Sequence, residues 1–184
     1  MKIPVIINNC NLLTWTRAMI ERIYRYNDVG EVIIIDNGST YQPLLEWYET
    51  NPCRIIRTAN VGHKAPWITG EVKELTKDHE YYVVTDPDLD LSGTPDDTLQ
   101  YLQEKLVESE LPKLGLMLDL QAVKPDMLYH RYLHWYERGR RMSSPIINDV
   151  MTRLTVDTTF AIYPAGCQQY FVGGGSVMPP YQAK

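Results

Sequence analysis

The sequence predicts an α/β fold in a single domain, with a mostly parallel central sheet flanked by helices. Three observations predict it. Short apolar runs rich in β-branched residues recur through the first half, stretches with helical spacing separate them, and three of the runs stop abruptly at amide- or acid-rich residues.

The runs Ile3–Ile7, Val32–Ile35, Arg54–Ile56 and Tyr81–Val84 are short and bounded by polar or turn residues, as expected of strands buried on both faces. Between the first two, the stretch 12–26 carries Trp15, Met19, Ile23 and Tyr26 at helical spacing. Pro43 and Pro66 sit where a first helical turn tolerates proline, and Asp96 is placed to cap a helix bearing Leu99, Leu102 and Leu106. The resulting order β-α-β-α-β-α-β-α implies parallel strands covered by helices on both faces. Beyond Pro112 the pattern changes to α+β: a strand at Leu114–Leu118, a long amphipathic stretch from Met127 to Arg141, and a strand at Thr158–Tyr163. Gly173-Gly174-Gly175-Ser176 followed by Pro179-Pro180 has no periodicity and reads as an irregular tail.

Length and composition suit one folded domain. The chain has 184 residues, 44% hydrophobic and 22% charged, without repeats or low-complexity segments. A net charge of -5 and a pI near 5.4 supply no global positive field, so neither nucleic acid nor anionic lipid is an expected partner. The basic run Arg138-Gly139-Arg140-Arg141 reads as a solvated helix end, with a contact to a phosphate or an anionic acceptor as the alternative. Cys10, Cys53 and Cys167 form an odd set with no close spacing, which fits reduced thiols in the cytoplasm better than a disulfide framework or a zinc site. No run approaches the roughly 20 apolar residues of a membrane span, and the first residues show no signal-peptide pattern.

In an open α/β sheet the ligand crevice lies beyond the carboxyl ends of the strands, so polar residues that follow a buried strand carry the first functional hypotheses. Here they are Asn8-Asn9-Cys10-Asn11, Asp36-Asn37-Gly38-Ser39-Thr40 and Thr85-Asp86-Pro87-Asp88-Leu89-Asp90. A dinucleotide site needs a glycine-rich turn after the first strand, and Asn8–Asn11 has no glycine, so a mononucleotide gripped by Asp36 remains. Asp86, Asp88 and Asp90 at alternate positions concentrate charge that a hard divalent cation, Mn²⁺ or Mg²⁺, would relieve. That ion would keep open positions for a nucleotide diphosphate. An EF-hand loop begins with the same spacing, but Leu91 and Asp97 stand where it requires Gly and Glu. A solvated acidic turn is the competing reading, strongest for Asp90.

The segments 3–9, 32–40 and 82–88 together resemble the family 2-type GT-A glycosyltransferases, the DxD-containing enzymes of nucleotide-diphospho-sugar transferase fold. Asn60-Val61-Gly62-His63-Lys64-Ala65-Pro66-Trp67 and Asp157-Thr158-Thr159-Phe160-Ala161 extend the likeness. The resemblance implies that Asp36 binds base or ribose, Asp86 the ribose or sugar, and Asp88 the metal, with Asp86 beside it. It also places Asn9, Asn60, His63 and Lys64 near the nucleotide. A UDP-sugar donor and an inverting transfer are the family expectation, with residues 1–111 as the nucleotide-binding half, 112–172 as the acceptor side and 173–184 as the tail.

An inverting transfer needs a carboxylate to take the acceptor proton. Many enzymes of that family place it in a Glu-Asp dipeptide, which is absent here; no Gln-x-x-Arg-Trp motif of processive synthases occurs either. Asp157, before the last predicted strand, is the first choice for the base, and Glu137, beside Trp135, the second. The acceptor, whether glycan, lipid-linked or protein-linked, is set by the variable half. Two other functions compete: a catalytically silent nucleotide- or sugar-binding module, as the first domain of a longer protein, and a nucleotidyltransferase. The second usually carries a glycine-rich basic loop after its first strand.

Overall fold

The computed structural model describes residues 2–119, 144–154, 160–167 and 174–183. Each buried run becomes a strand and each spacer a helix: β1 (Ile3–Asn9), α1 (Thr14–Ile23), β2 (Val29–Asn37), α2 (Gln42–Tyr48), β3 (Arg54–Thr58), α3 (Ala65–Ile68), α4 (Glu71–Thr76), β4 (Tyr81–Thr85) and α5 (Thr98–Ser109). β5 (Leu114–Leu118), β6 (Ile146–Ile147), β7 (Val150–Leu154), β8 (Ala161–Pro164) and β9 (Gly174–Ala183) follow. All nine strands join one sheet in the order β3-β2-β1-β4-β8-β5-β9-β7-β6. The first four are mutually parallel, and β8 runs antiparallel between β4 and β5.

The strands alternate their side chains between two buried layers, which is why they read as continuous apolar runs. Ile3, Val5 and Ile7 of β1 pack with Met19, Ile20 and Ile23 of α1, Leu44 of α2 and Leu99, Leu102 and Leu106 of α5. Ile6, between them, faces the opposite layer with Ala65 of α3 and Val72 of α4. The buried stripe of α1 is Thr16, Met19, Ile20 and Ile23. Trp15, expected on that face, is 51% exposed.

Two local readings need correction. Asp96 is not a helix cap: α5 begins at Thr98 after Asp97, without a side-chain capping bond. Asp96 instead accepts a 2.7 Å bond from Nη1 of Arg22, whose other terminal nitrogen donates to the Thr94 carbonyl. The segment 174–183 is not an irregular tail but β9, parallel to β5 and antiparallel to β7. Glycine is needed at its start because a Cβ on Gly174 would lie 2.7 Å from Cγ and 2.9 Å from the carbonyl oxygen of Lys113. The two prolines fall where the ladder skips from Leu116↔Val177 to Met117↔Gln182, so the intervening residues stand outside the pairing and lose no ladder bond. The amphipathic stretch from Met127 to Arg141 lies outside the described residues. Among the described residues no helix is long and apolar enough to cross a membrane.

Candidate functional site

The chain winds from β1 outward to β2 and β3, then returns to place β4 on the other side of β1. That reversal is the switch point where a doubly wound sheet opens a crevice at the carboxyl ends of its strands. Asn8 and Asn9 close β1, Asp36 and Asn37 close β2, and Asp86 follows β4. The structure therefore brings the three polar strand ends together, with β1 between the two acids.

Asparagine side chains stitch the loops of this crevice. Asn9 and Asp36 are register partners across β1 and β2 and are buried to 0% and 2% exposure. On the α2 side, Asn9 Nδ2 donates to the Tyr48 hydroxyl at 2.8 Å and to the Leu12 carbonyl at 3.1 Å. Asp36 Oδ1 accepts the Ser39 backbone N–H at 3.3 Å and faces the Tyr48 hydroxyl at 3.5 Å. On the α3 side, Asn8 Nδ2 reaches the His63 carbonyl at 3.3 Å. Asn37 bridges the same loop, donating to the Gly62 carbonyl at 2.8 Å and accepting from the Val61 N–H at 2.9 Å. Asn60 accepts the Gly62 N–H at 3.1 Å. Asn60 and His63 are exposed and Lys64 is half-buried. Among the described residues neither Asn8 Oδ1 nor Asn9 Oδ1 has a hydrogen-bond partner, an unusual pair of buried acceptors at one strand end.

Asn11 ties the remaining edge. At φ 58° it adopts the left-handed conformation that asparagine tolerates, and its Oδ1 accepts the Thr40 and Tyr41 N–H groups at 2.7 and 2.8 Å. Its own N–H donates to Ser39 Oγ at 2.8 Å. Gly38 is required here for two reasons: its φ is +71°, and a Cβ would lie 2.8 Å from the Asn60 nitrogen and 2.9 Å from the Asn60 Cβ. Gly38→Ala is expected to push the loop after β3 off the end of β2 and cost about 2–3 kcal/mol, read by chemical denaturation. A loss under about 0.5 kcal/mol would show that the loop moves freely.

The acidic segment owes its orientation to alternation. Pro87, Leu89 and Leu91 are buried, whereas Asp88 is exposed and Asp86 and Asp90 are partly exposed. The buried positions pin the segment to the core and leave the acids between them more exposed. Arg22 fastens its far end through Thr94 and Asp96, and Arg22 also stacks on Tyr26 at 4.7 Å. Asp90 Oδ1 accepts the Ser92 N–H at 2.9 Å, the geometry of a solvated turn. Asp86 and Asp88 carry carboxylates, hard oxygen donors of the kind Mg²⁺ and Mn²⁺ take. Among the described residues no group of three or more His, Cys, Asp or Glu side chains could hold a metal ion. Asp157 and Glu137 lie outside the described residues, as does Trp135. Cys10, Cys53 and Cys167 are free.

The sequence reading missed Tyr48, Asn37 and Asn11 as site-building residues. Asn37 and Asn11 lie in the strand-end runs it singled out, whereas Tyr48 reads only as part of the buried stripe of α2.

No protein-family model and no curated protein matches the sequence. Solved structures do. One is a mannosyltransferase from Pyrobaculum calidifontis in complex with GDP-Man and Mn²⁺, at 18% identity and a TM-score of 0.56 over 89% of this chain and 44% of that one. A second is glucosyl-3-phosphoglycerate synthase from Mycobacterium tuberculosis in complex with Mn²⁺, UDP-Glc and phosphoglyceric acid, at 15% identity and 0.55 over 89% and 56%. A third is CMP:2-keto-3-deoxy-manno-octonic acid synthetase complexed with CTP, at 11% identity and 0.54 over 92% and 76%. The chain thus spans 44% of the mannosyltransferase and 56% of the synthase. At such identities the likeness establishes architecture: the chain has the GT-A, nucleotide-diphospho-sugar transferase, fold.

Proposed function

We propose that this chain is a metal-dependent glycosyltransferase of family 2 type that moves a sugar from a nucleoside-diphosphate sugar, a UDP-sugar, to an acceptor with inversion. The observation that carries the proposal is the placement of Asp36 and of Asp86 with Asp88 at the carboxyl ends of β2 and β4, on either side of β1. In this reading Asp36 and Asn9 hold the base or ribose, and the loop bearing Asn60, His63 and Lys64 closes over the nucleotide. Asp86 and Asp88 form the DxD element. A Mn²⁺ or Mg²⁺ on those carboxylates supplies charge neutralisation of the diphosphate and Lewis-acid assistance to its departure. Asp157, with Glu137 as second choice, takes the acceptor proton. The domain assignment is a single GT-A-like catalytic domain.

Calorimetric titration with UDP in the presence of Mn²⁺, repeated with excess chelator, tests this. Micromolar binding that disappears on metal removal is the expected outcome. Absence of heat with UDP, GDP and other nucleotides would sink the donor-site reading.

One observation favours a second reading, a nucleotidyltransferase: the CTP-bound synthetase shares the fold and is covered over 76% of its length. Against it, the turn Asn8–Asn11 has neither glycine nor a basic residue to cradle a triphosphate. CTP binding much tighter than UDP binding in the same titration would reverse the order of the two.

A further inference from the structure

Tyr48 sits at the end of α2, 5% exposed, with its hydroxyl between Asn9 and Asp36. The Ser39 side chain also lies beside this oxygen. Asn9 Nδ2 has two protons, one directed at the Leu12 carbonyl and one at the Tyr48 oxygen. The amide cannot be reversed without setting its oxygen against the Leu12 carbonyl oxygen. Tyr48 therefore accepts from Asn9, and its single proton is free to turn to Asp36 Oδ1, 3.5 Å away. Burial, and next the Asp36 charge, push the Tyr48 pKa above its ordinary value, so the hydroxyl keeps that proton. The Ser39 N–H meets the same Oδ1. Among the described residues, the contacts of the Asp36 carboxylate with the Ser39 N–H and the Tyr48 hydroxyl both fall on Oδ1.

We propose that Tyr48 is a positioning residue of the nucleotide site: its hydroxyl, anchored by Asn9, holds the Asp36 carboxylate by one oxygen and leaves Oδ2 to meet the base or ribose. This rests on the donor-site reading above. Without the Tyr48 hydroxyl the carboxylate keeps only the 3.3 Å Ser39 N–H contact on Oδ1, and turning about its terminal torsion costs ordering on each binding event. The buried hydroxyl removes this freedom before the ligand arrives, so Tyr48 acts on affinity for the nucleoside part without touching it.

The test compares wild type and Tyr48→Phe by calorimetry with two probes, UDP and inorganic pyrophosphate, each with Mn²⁺, and repeats the UDP titration in an Asp36→Asn background. UDP affinity is expected to fall about fivefold or more in Tyr48→Phe, pyrophosphate affinity to stay within about twofold, and the change to shrink below about twofold once Asp36 is neutral. A general loosening of the fold would weaken both probes and persist in the Asp36→Asn background, and either result overturns the proposal. So does a Tyr48→Phe protein that binds UDP as wild type does. If folded wild type binds no nucleotide, the donor-site reading itself fails and the proposal falls with it; that outcome is visible before any variant is compared.

Discussion

Asp88→Asn is expected to weaken Mn²⁺-dependent UDP binding by at least about 100-fold, while leaving the melting temperature nearly unchanged. The size follows from the ligand set. Loss of a group that merely orients a metal ligand typically costs about 10–100-fold in metal affinity, and in the proposed site one of two protein ligands would lose its charge. Stability should barely respond because Asp88 is exposed and the segment is pinned by Pro87, Leu89 and Leu91. Asparagine keeps the shape and one oxygen, so the change isolates charge. Asp90→Asn, one turn position further, is expected to change binding less than about twofold, because its Oδ1 already serves the Ser92 N–H. Calorimetry with and without chelator reads both variants. Equal losses at Asp88 and Asp90 would mean that the segment acts as a diffuse acidic patch, and binding by wild type that ignores chelator would remove the metal from the site altogether.

The parallel half of the sheet was legible because burial on both faces forces uninterrupted β-branched runs, and the crevice was legible because those runs stop at amides and acids. Asp36 and Asp86 follow from that logic alone. What escaped depended on distant partners. Asp96 satisfies the local rule for a cap, yet Arg22, 74 residues away, takes its carboxylate. β9 has the composition of a loop, and becomes a strand only because Lys113 demands a glycine beside it and the β5 ladder tolerates a bulge around two prolines. Tyr48 hides within helical periodicity, where its ring explains its burial and nothing announces its hydroxyl. Asn8 and Asn37 were visible as polar strand ends, but their partners are the backbone of the loop after β3, which no side-chain pattern encodes.

Asp157→Asn is expected to lower the release of UDP from a UDP-sugar by about 10²–10⁴-fold, the usual contribution of a positioned general base, with UDP affinity held within about twofold. β8 is antiparallel to β4, and its first residue, Ala161, pairs with Val84, so the backbone enters β8 at the end of the sheet from which Asp86 emerges. Phe160, just before it, is fully buried. In an inverting displacement the acceptor oxygen forms a bond to the anomeric carbon as the bond to the diphosphate oxygen breaks. The acceptor proton passes to the base, and the bond's electron pair leaves with UDP. With water as acceptor the same base is required, so hydrolysis reports the step before any natural acceptor is known. Asparagine cannot take the proton but preserves size, which separates catalysis from packing. Undiminished hydrolysis in Asp157→Asn, with loss in Glu137→Gln, would move the base to the stretch beside Trp135. Wild type that binds UDP with metal yet turns over no UDP-sugar would instead mark a silent donor-binding module, since a built site without a working base holds its ligand and does nothing further.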